Sequence, residues 1–440
     1  MSASPAPRVR ALAVHAAYRC RSTGACCSSG WDVPVEPAAE DGLRAALASG
    51  ALGPADVALR PVAGLPHGAR VVFAQDAAGR CVFLEAEGER RLCAVHRRLG
   101  EDALPSACRQ FPRVVTLTPL GVSVTLSHYC PTAADLLFGT PMGSVPPGSE
   151  GPAVPPGPSG SLRSRDPLLH VVEDPPAFPP SWPWEGLDAR DALPPFVRPG
   201  VLMSWPGLER WERFALDVLA DEERTPEDAL DVLEGAAEEV RRWTPERGEF
   251  EGFLEGVLGR GRGSEGGEPA FPGALRNGSR YPRDPARRGS RGCPGSREWQ
   301  LVAECVPVRA LVPPTPVGLD ETDARWVAPA WPGLGRPIRR WLAGKAFASW
   351  LVLQGEGLRT AVLGLRVALG VLRAEAARGC AEAGRALDAL LLKEAFRRAD
   401  LLLVHLADAE ALARKLGRAE TGESGPTVRM DGTPPDFENV

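Results

Sequence analysis

Cysteines are crowded into the first third of this chain, and the crowding constrains what that region can fold around. Seven of the 10 cysteines lie between positions 20 and 130, and each falls at a predicted turn or at the end of a predicted element. Thiols on turns can converge on one point, whereas cysteines inside regular elements usually fill the core. The sequence therefore predicts a shared site built from Cys20, Cys26, Cys27, Cys81, Cys93, Cys108 and Cys130.

The chemistry of these thiols favours a metal centre. Thiolates bind soft or borderline metals, either as tetrahedral zinc or in iron–sulfur clusters, and both centres need about four ligands. Zinc knuckles usually carry CxxC pairs, but this region has none and contains the adjacent pair Cys26-Cys27 instead. We expect an iron–sulfur cluster, with zinc as the alternative and incidental buried thiols as the competing interpretation.

Two histidines lie in the same region. His96 and His128 could also bind a metal, although a surface helix position for His96 and a strand-end position for His128 are the simpler interpretations. The remaining cysteines lie far along the chain and are expected to be ordinary thiols: Cys293, Cys305 and Cys380.

Charge and hydropathy exclude several classes of partner. A net charge of −5 spread along the chain argues against an electrostatic nucleic-acid binder. The most apolar stretch, 360–372, is too short to span a bilayer, and the N-terminus lacks the hydrophobic run of a signal peptide. We therefore expect a cytoplasmic protein without membrane association, in a compartment where clustered cysteines indicate metal or redox chemistry.

The pattern of apolar and turn residues predicts a mainly α fold. A small Cys-rich α/β metal-binding module is expected at the N-terminus, followed by a helical C-terminal body. Stretches rich in Gly, Pro and Ser are expected to separate the helical parts. The expected segments are the Cys-rich module at 1–140, a Pro/Gly linker at 141–165, a helical region at 166–261, a disordered insertion at 262–299, a C-terminal helical region at 300–418 and a flexible tail at 419–440.

Local signals predict individual elements within these segments. Proline at the first turn and glycine past the end predict a helix over 36–50. Alternating apolar and polar residues predict two hairpins, one joining 70–75 to 81–85 and one joining 114–118 to 122–127. A leucine stripe predicts a packed helix from Leu358, and a further long helix is expected over 383–417.

The cysteine motifs also carry a family resemblance. The segment Tyr18-Arg-Cys20-Arg-Ser-Thr-Gly-Ala-Cys26-Cys27 resembles the CxxCxxCC opening of proteins described as zinc- or iron-chelating. The later motifs are similar to those of the flagellin lysine-N-methylase family over roughly residues 15–140. They are Cys81-Val-Phe-Leu-Glu85, Leu92-Cys93, Leu99-Gly-Glu-Asp-Ala-Leu104, Cys108-Arg-Gln-Phe-Pro-Arg113 and Leu126-Ser-His-Tyr-Cys-Pro-Thr-Ala-Ala134. One position departs from the pattern, because Thr23 stands where the second cysteine is expected.

The resemblance implies a protein that binds an iron–sulfur cluster of the [4Fe-4S] type and uses S-adenosylmethionine to methylate lysine side chains of a protein substrate. A non-catalytic zinc- or iron-binding protein is the alternative. Neither a glycine-rich nucleotide-binding turn nor a catalytic base can be named from the sequence. Three further residues are expected near the thiols, either tuning them or shaping their loops: Trp31, Arg109 and Arg113.

Overall fold

The computed structural model describes residues 7–52, 58–63, 68–87, 90–139, 164–263, 271, 295–307, 312–316 and 318–418. Within this part of the chain the fold is mainly α, as predicted. Its helices are α1 (Ala13–Ala16), α2 (Pro37–Ala48), α3 (Ala94–Leu99), α4 (Ser106–Gln110), α5 (Pro131–Leu136), α6 (Trp205–Ala220), α7 (Pro226–Arg241), α8 (Phe250–Gly263), α9 (Ser296–Ala303), α10 (Asp320–Thr322), α11 (Gly335–Ala346), α12 (Leu358–Ala383), α13 (Ala389–Asp400) and α14 (Ala409–Arg418).

The strands are short and form several small sheets. They are β1 (Val9–Leu12), β2 (Pro34–Val35), β3 (Leu59–Pro61), β4 (Val71–Phe73), β5 (Leu84–Glu87), β6 (Arg90–Cys93), β7 (Arg113–Thr118), β8 (Gly121–Leu126), β9 (Val171–Glu173), β10 (Leu187–Asp188), β11 (Phe196–Arg198) and β12 (Val201–Leu202). The largest sheet has the order β10-β7-β8-β1-β9, with β1 parallel to β8 and β10 parallel to β7. Strands β2, β4 and β3 form a second sheet, while β5 with β6 and β11 with β12 form separate pairs.

Two apolar cores hold these elements together. The smaller core lies between Val33 and Leu104 and packs α2 and α3 against the short sheets. The larger core combines β1, β7, β8 and α5 with the long helices of the C-terminal body. Residues on both sides of position 140 therefore share the larger core, and the expected domain boundaries stay a prediction.

Two long helices in the predicted helical region at 166–261 begin at capping residues. In α6 the Ser204 side chain accepts a hydrogen bond from Gly207 N, and in α7 the Thr225 side chain accepts one from Asp228 N. Both helices carry proline in the first turn, where no amide hydrogen bond is lost. The predictions of α2, of the β7–β8 hairpin and of the helix from Leu358 are confirmed.

The predicted long helix over 383–417 is wrong. Gly384 adopts a left-handed conformation and ends α12, and the Asp388 side chain then caps α13 by accepting from Leu391 N at 2.9 Å. The chain continues as a π-helix over Leu401–Leu406 before α14 begins. Such wide turns insert a residue into the helical ladder and often occur at functional sites.

The predicted hairpin between 70–75 and 81–85 is also wrong in its pairing. Strand β4 pairs with β2 and β3, whereas β5 pairs with β6 in a register that sets Leu84 opposite Cys93. Only the isolated bridge between Gln75 and Cys81 joins the two predicted halves. Cys81 is thus held at a turn, next to the strand pair that carries Cys93.

Several expected segments fall partly or wholly outside the described residues: the linker, the disordered insertion, the tail and Cys293. At the edges of the expected insertion, α8 continues to Gly263 and α9 begins at Ser296. None of the helices in the described part of the chain is long and apolar enough to cross a membrane.

Candidate metal centre

A single turn brings the paired cysteines to the surface of the smaller core. Cys26 and Cys27 lie in a 3-10 turn, Ala25–Cys27, which follows Gly24 in the left-handed region at φ 71°. Two backbone hydrogen bonds fix the turn to its neighbours: Cys81 N donates to Cys27 O at 2.7 Å, and Arg91 N donates to Ser22 O at 3.0 Å. The turn therefore lies against both the Cys81 loop and the β5–β6 pair.

Gly24 is required at this turn for two reasons. Its positive φ strains any L side chain, and a Cβ there would lie 2.6 Å from the Cβ of Arg91. Gly30 offers a matched control because it has a similar φ of 77°, yet no atom of the described residues would lie within 4 Å of a Cβ at that position.

We expect Gly24→Ala to lower the free energy of unfolding by about 2–4 kcal/mol, the sum of backbone strain and a forced displacement of β6. Gly30→Ala should cost only about 1 kcal/mol, because strain acts alone. Urea unfolding of the two variants measures the difference. Equal losses of unfolding free energy in the two variants would show that crowding against Arg91 adds nothing to the backbone strain at Gly24.

Four thiols converge at this turn. The Cys26 and Cys27 sulfurs lie 3.8 Å apart, and the Cys27 thiol also interacts with the thiols of Cys81 and Cys93. Hydrogen bonding to Cys27 lowers the pKa of Cys93 to about 7, and it lowers the pKa of Cys26 and of Cys81 as well. The pKa of Cys27 itself is raised by the same interactions, with the Cys26 contact the largest cause.

Cys108 lies beside this group of four. Burial raises the pKa of its thiol, and the neighbouring thiols of Cys26, Cys93 and Cys81 raise it further. Helix α4, which carries Cys108, is held at its start by Glu36, whose carboxylate accepts from Ser106 N at 3.2 Å. The structure thus brings five of the seven predicted cysteines to one end of the smaller core.

Cys20 and Cys130 form a separate group around Tyr18. The Tyr18 hydroxyl lies 3.8 Å from the Cys130 sulfur, and burial raises the pKa of that hydroxyl, followed by the charges of Cys130 and Cys20. Cys130 is buried at the start of α5, whereas Cys20 is exposed. These two thiols interact with each other and with Tyr18.

The three further residues expected near the thiols have other partners. Trp31 stacks on His405 with ring centres 4.3 Å apart and also contacts Phe111 and Tyr129. The other two are arginines: Arg109 pairs with Glu185 at 2.9 Å, and Arg113 lies 4.7 Å over the ring of Trp182. Arg113 also interacts electrostatically with Tyr18 and Cys20, and the role of these three residues stays a prediction.

The thiols of this group are suitable ligands for a metal, but in their present positions they do not form a metal site. Tetrahedral zinc with Zn–S bonds of about 2.3 Å separates its sulfurs by about 3.8 Å, the distance between Cys26 and Cys27. Among the described residues, however, no group of three or more His, Cys, Asp or Glu side chains is arranged so that it could hold a metal ion as it stands. Metal sites commonly complete their geometry only on binding, so ligation here requires the thiols to rearrange.

A buried polar network, which the sequence did not predict, joins the N-terminal sheet to the helical body. Asp400, fully buried at the end of α13, accepts from the backbone N of His128 at 2.6 Å and from its Nδ1 at 3.1 Å. It also accepts from Trp341 Nε1 at 3.0 Å and pairs with Lys345 Nζ at 2.5 Å. His128 continues the network to His15, with 3.2 Å between the two Nε2 atoms.

The π-helix extends the same interface toward the thiols. His405, on this segment, lies 2.6 Å from Ser127 Oγ through its Nε2 and stacks on Trp31. Tyr129, beside both rings, lies close to Ser28 O at 3.5 Å, one residue after the Cys26-Cys27 pair. The side chain of His96, by contrast, is exposed on α3, although its backbone N–H acts on the thiol of Cys93.

Burial of His405 makes the stability of this interface depend on pH. Burial lowers the pKa of His405 to about 4, below the unfolded value of about 6.5. Between these values the unfolded chain binds the proton and the native chain does not, so stability falls as pH falls. We expect His405 to account for a loss of about 2 kcal/mol between pH 7 and pH 5.

The variant His405→Phe keeps a ring against Trp31 but cannot titrate. Its unfolding free energy, measured by urea titration at several pH values, should fall less steeply than that of the wild type over this range. Parallel curves for the two proteins would contradict a neutral His405 in the native state.

A cleft of about 260 Å³ lies beside the π-helix. Its lining comes from α9, α12, α13 and the π-helix, and comprises Trp299, Pro313, Glu375, Arg378, Glu382, Arg398, Leu401, Leu402 and Leu406. Its volume is below the range usual for drug-sized ligands, so it does not fit a nucleoside cofactor such as S-adenosylmethionine.

Comparison of the chain with models of known protein families, with curated proteins and with solved structures finds no match.

Proposed function

We propose that this chain is an iron–sulfur protein that uses S-adenosylmethionine to methylate lysine side chains of a protein substrate. The observation that carries the metal half of the proposal is the convergence of Cys26, Cys81 and Cys93 on Cys27. Four soft sulfur donors are the number of ligands that a cluster requires, and these four thiols would have to rearrange to bind one. Cys108 beside them is a candidate replacement for the ligand that Thr23 does not supply.

The methyl-transfer half is supported by the family resemblance. S-adenosylmethionine, when bound, supplies a methyl group on a positively charged sulfur. The chain's part would be to hold the acceptor lysine as a neutral amine, which requires burial or a nearby proton acceptor.

A methylation assay on protein purified without oxygen tests the proposal. The protein is incubated with S-adenosylmethionine labelled in its methyl group and with flagellin as the acceptor. Methyl-lysine is then measured in the acid hydrolysate. We expect label in methyl-lysine with the wild type and none with Cys27→Ser. Absence of methyl-lysine with cluster-loaded wild type would contradict methylation of this acceptor.

Zinc binding without catalysis is the second candidate, and one distance favours it. The 3.8 Å between the Cys26 and Cys27 sulfurs equals the edge of a zinc tetrathiolate, about 3.8 Å. A zinc site of this kind would stabilise the loop-rich smaller core. Zinc bound at one per chain, without methylation activity, is the result that this second candidate predicts.

A further inference from the structure

The cleft on the helical body is lined by a buried carboxyl group, one of whose oxygens lacks a hydrogen-bond partner among the described residues. Glu375 on α12 is only 3% exposed, and its Oε1 accepts a hydrogen bond from Trp299 Nε1 at 2.6 Å. Its Oε2 has no hydrogen-bond partner among the described residues. A buried carboxyl oxygen without a partner is costly, because it has lost water and gained nothing in return.

The positive charges around the cleft are already engaged. Arg378 lies 5.2 Å over the ring of Trp299, donates to Pro314 O at 2.7 Å and approaches Glu375 Oε1 only to 3.6 Å. Arg398 pairs with Glu382 at 2.9 Å and with Glu394 at 3.3 Å. The four charged side chains of the lining sum to zero when Glu375 is ionised, so the unsatisfied oxygen decides which group would fit.

The remaining walls are apolar. Leu401, Leu402 and Leu406 from the π-helix line the cleft together with Pro313. A ligand that matches both the apolar walls and the carboxyl group needs an aliphatic stem to pack on the leucines and a hydrogen-bond donor for Glu375. A positively charged donor is favoured, because charge-assisted hydrogen bonds are about twice as strong as neutral ones.

We infer that this cleft binds a primary ammonium group carried on an aliphatic stem, the chemistry of a lysine side chain, with Glu375 as the residue that holds the ammonium. Its volume of about 260 Å³ suits one side chain. The inference deepens the proposed function, although only the role of the amine as methyl acceptor rests on that function. Binding of the amine stands on the cleft alone.

Three matched ligands test the inference with the full-length protein and without a methyl donor. They are the Nα-acetyl methylamides of lysine, 6-hydroxynorleucine and norleucine, which share a stem and differ at its end. Saturation-transfer NMR or calorimetry measures their affinities. We expect the lysine compound to bind at least tenfold more tightly than either of the others. Equal binding of the three, or tighter binding of the hydroxyl compound, would overturn the inference.

Two variants identify the residue responsible. Glu375→Gln keeps an acceptor for Trp299 and should weaken binding of the lysine compound about 10- to 100-fold, since the charged hydrogen bond is lost. Glu410→Gln, at an exposed position on α14 that does not line the cleft, should change it less than threefold. Circular dichroism confirms that both variants are folded. Wild-type affinity in Glu375→Gln would contradict the assignment.

The outcomes also separate this inference from the proposed function. If the protein binds the lysine compound but never methylates lysine, the cleft remains an ammonium-binding site and the methylase proposal is contradicted. Methylation that persists in Glu375→Gln, together with no measurable binding of the lysine compound, would contradict the cleft assignment alone.

Discussion

Asp400→Ala should destabilise the protein by about 3–5 kcal/mol, the cost of breaking a buried ion pair by removing one partner. The substitution leaves the ammonium of Lys345 without its buried partner, which lies 2.5 Å away in the native chain. It also removes the acceptor for Trp341 Nε1 and for two N–H groups of His128. Each of these donors would be buried and unsatisfied, and this adds to the loss.

The same substitution at the other end of α13 is the control. Asp388 caps that helix by accepting from Leu391 N, and it is 43% exposed, so Asp388→Ala should cost only about 1 kcal/mol. Urea unfolding at pH 7 compares the two variants. Losses of similar size would show that the buried network contributes no more than an exposed helix cap.

A double variant separates the ion pair from the rest of the network. Replacing Asp400 by Asn and Lys345 by Met removes both charges together, so it should recover part of the stability that Asp400→Asn alone loses. It also provides a measurable protein if Asp400→Ala does not fold. Strictly additive losses would mean that the two charges do not interact across the 2.5 Å contact.

Substitution of the converging thiols should abolish metal binding. Cys27→Ser removes the sulfur that interacts with Cys26, Cys81 and Cys93, and we expect bound metal to fall more than tenfold. Cys305→Ser is the matched control, because Cys305 is a buried thiol whose sulfur lies 3.3 Å from Leu301 O within its own helical turn. Metal content of the two purified variants, measured by mass spectrometry, is compared with the wild type.

The variant Cys20→Ser tests whether Cys20 is one of the metal ligands. Because Cys20 is exposed and interacts with Cys130 and Tyr18, the variant should keep its metal. If Cys20→Ser loses as much metal as Cys27→Ser, the two groups of cysteines belong to one metal site. Retention of metal in Cys27→Ser would remove the Cys27 group from consideration.

Much of the fold could be predicted where the signal was local. Helix α2 follows from Pro37 near its start, and the β7–β8 hairpin follows from alternating residues around Gly121. The long helix over 383–417 was wrong because leucines continue at helical spacing through the π-helix, while the Asp388 cap and the left-handed Gly384 interrupt the backbone. Apolar periodicity alone does not detect such interruptions.

The candidate site, too, could be predicted from the sequence only in part. The density of cysteines before position 130 predicted that thiols converge, and the structure brings Cys26, Cys27, Cys81 and Cys93 together. The Asp400 network and the Glu375 cleft could not be found from the sequence, because their partners lie far apart in the chain. His128 and Asp400 are separated by 272 positions, and Trp299 and Glu375 by 76.

The most direct test of the central claim is the iron and acid-labile sulfide content of the protein, measured with a visible spectrum after purification without oxygen. An iron–sulfur site at the Cys27 group predicts about four iron and four sulfide per chain, with a brown colour that Cys27→Ser lacks. About one zinc per chain without sulfide would contradict the iron–sulfur assignment and leave the zinc candidate.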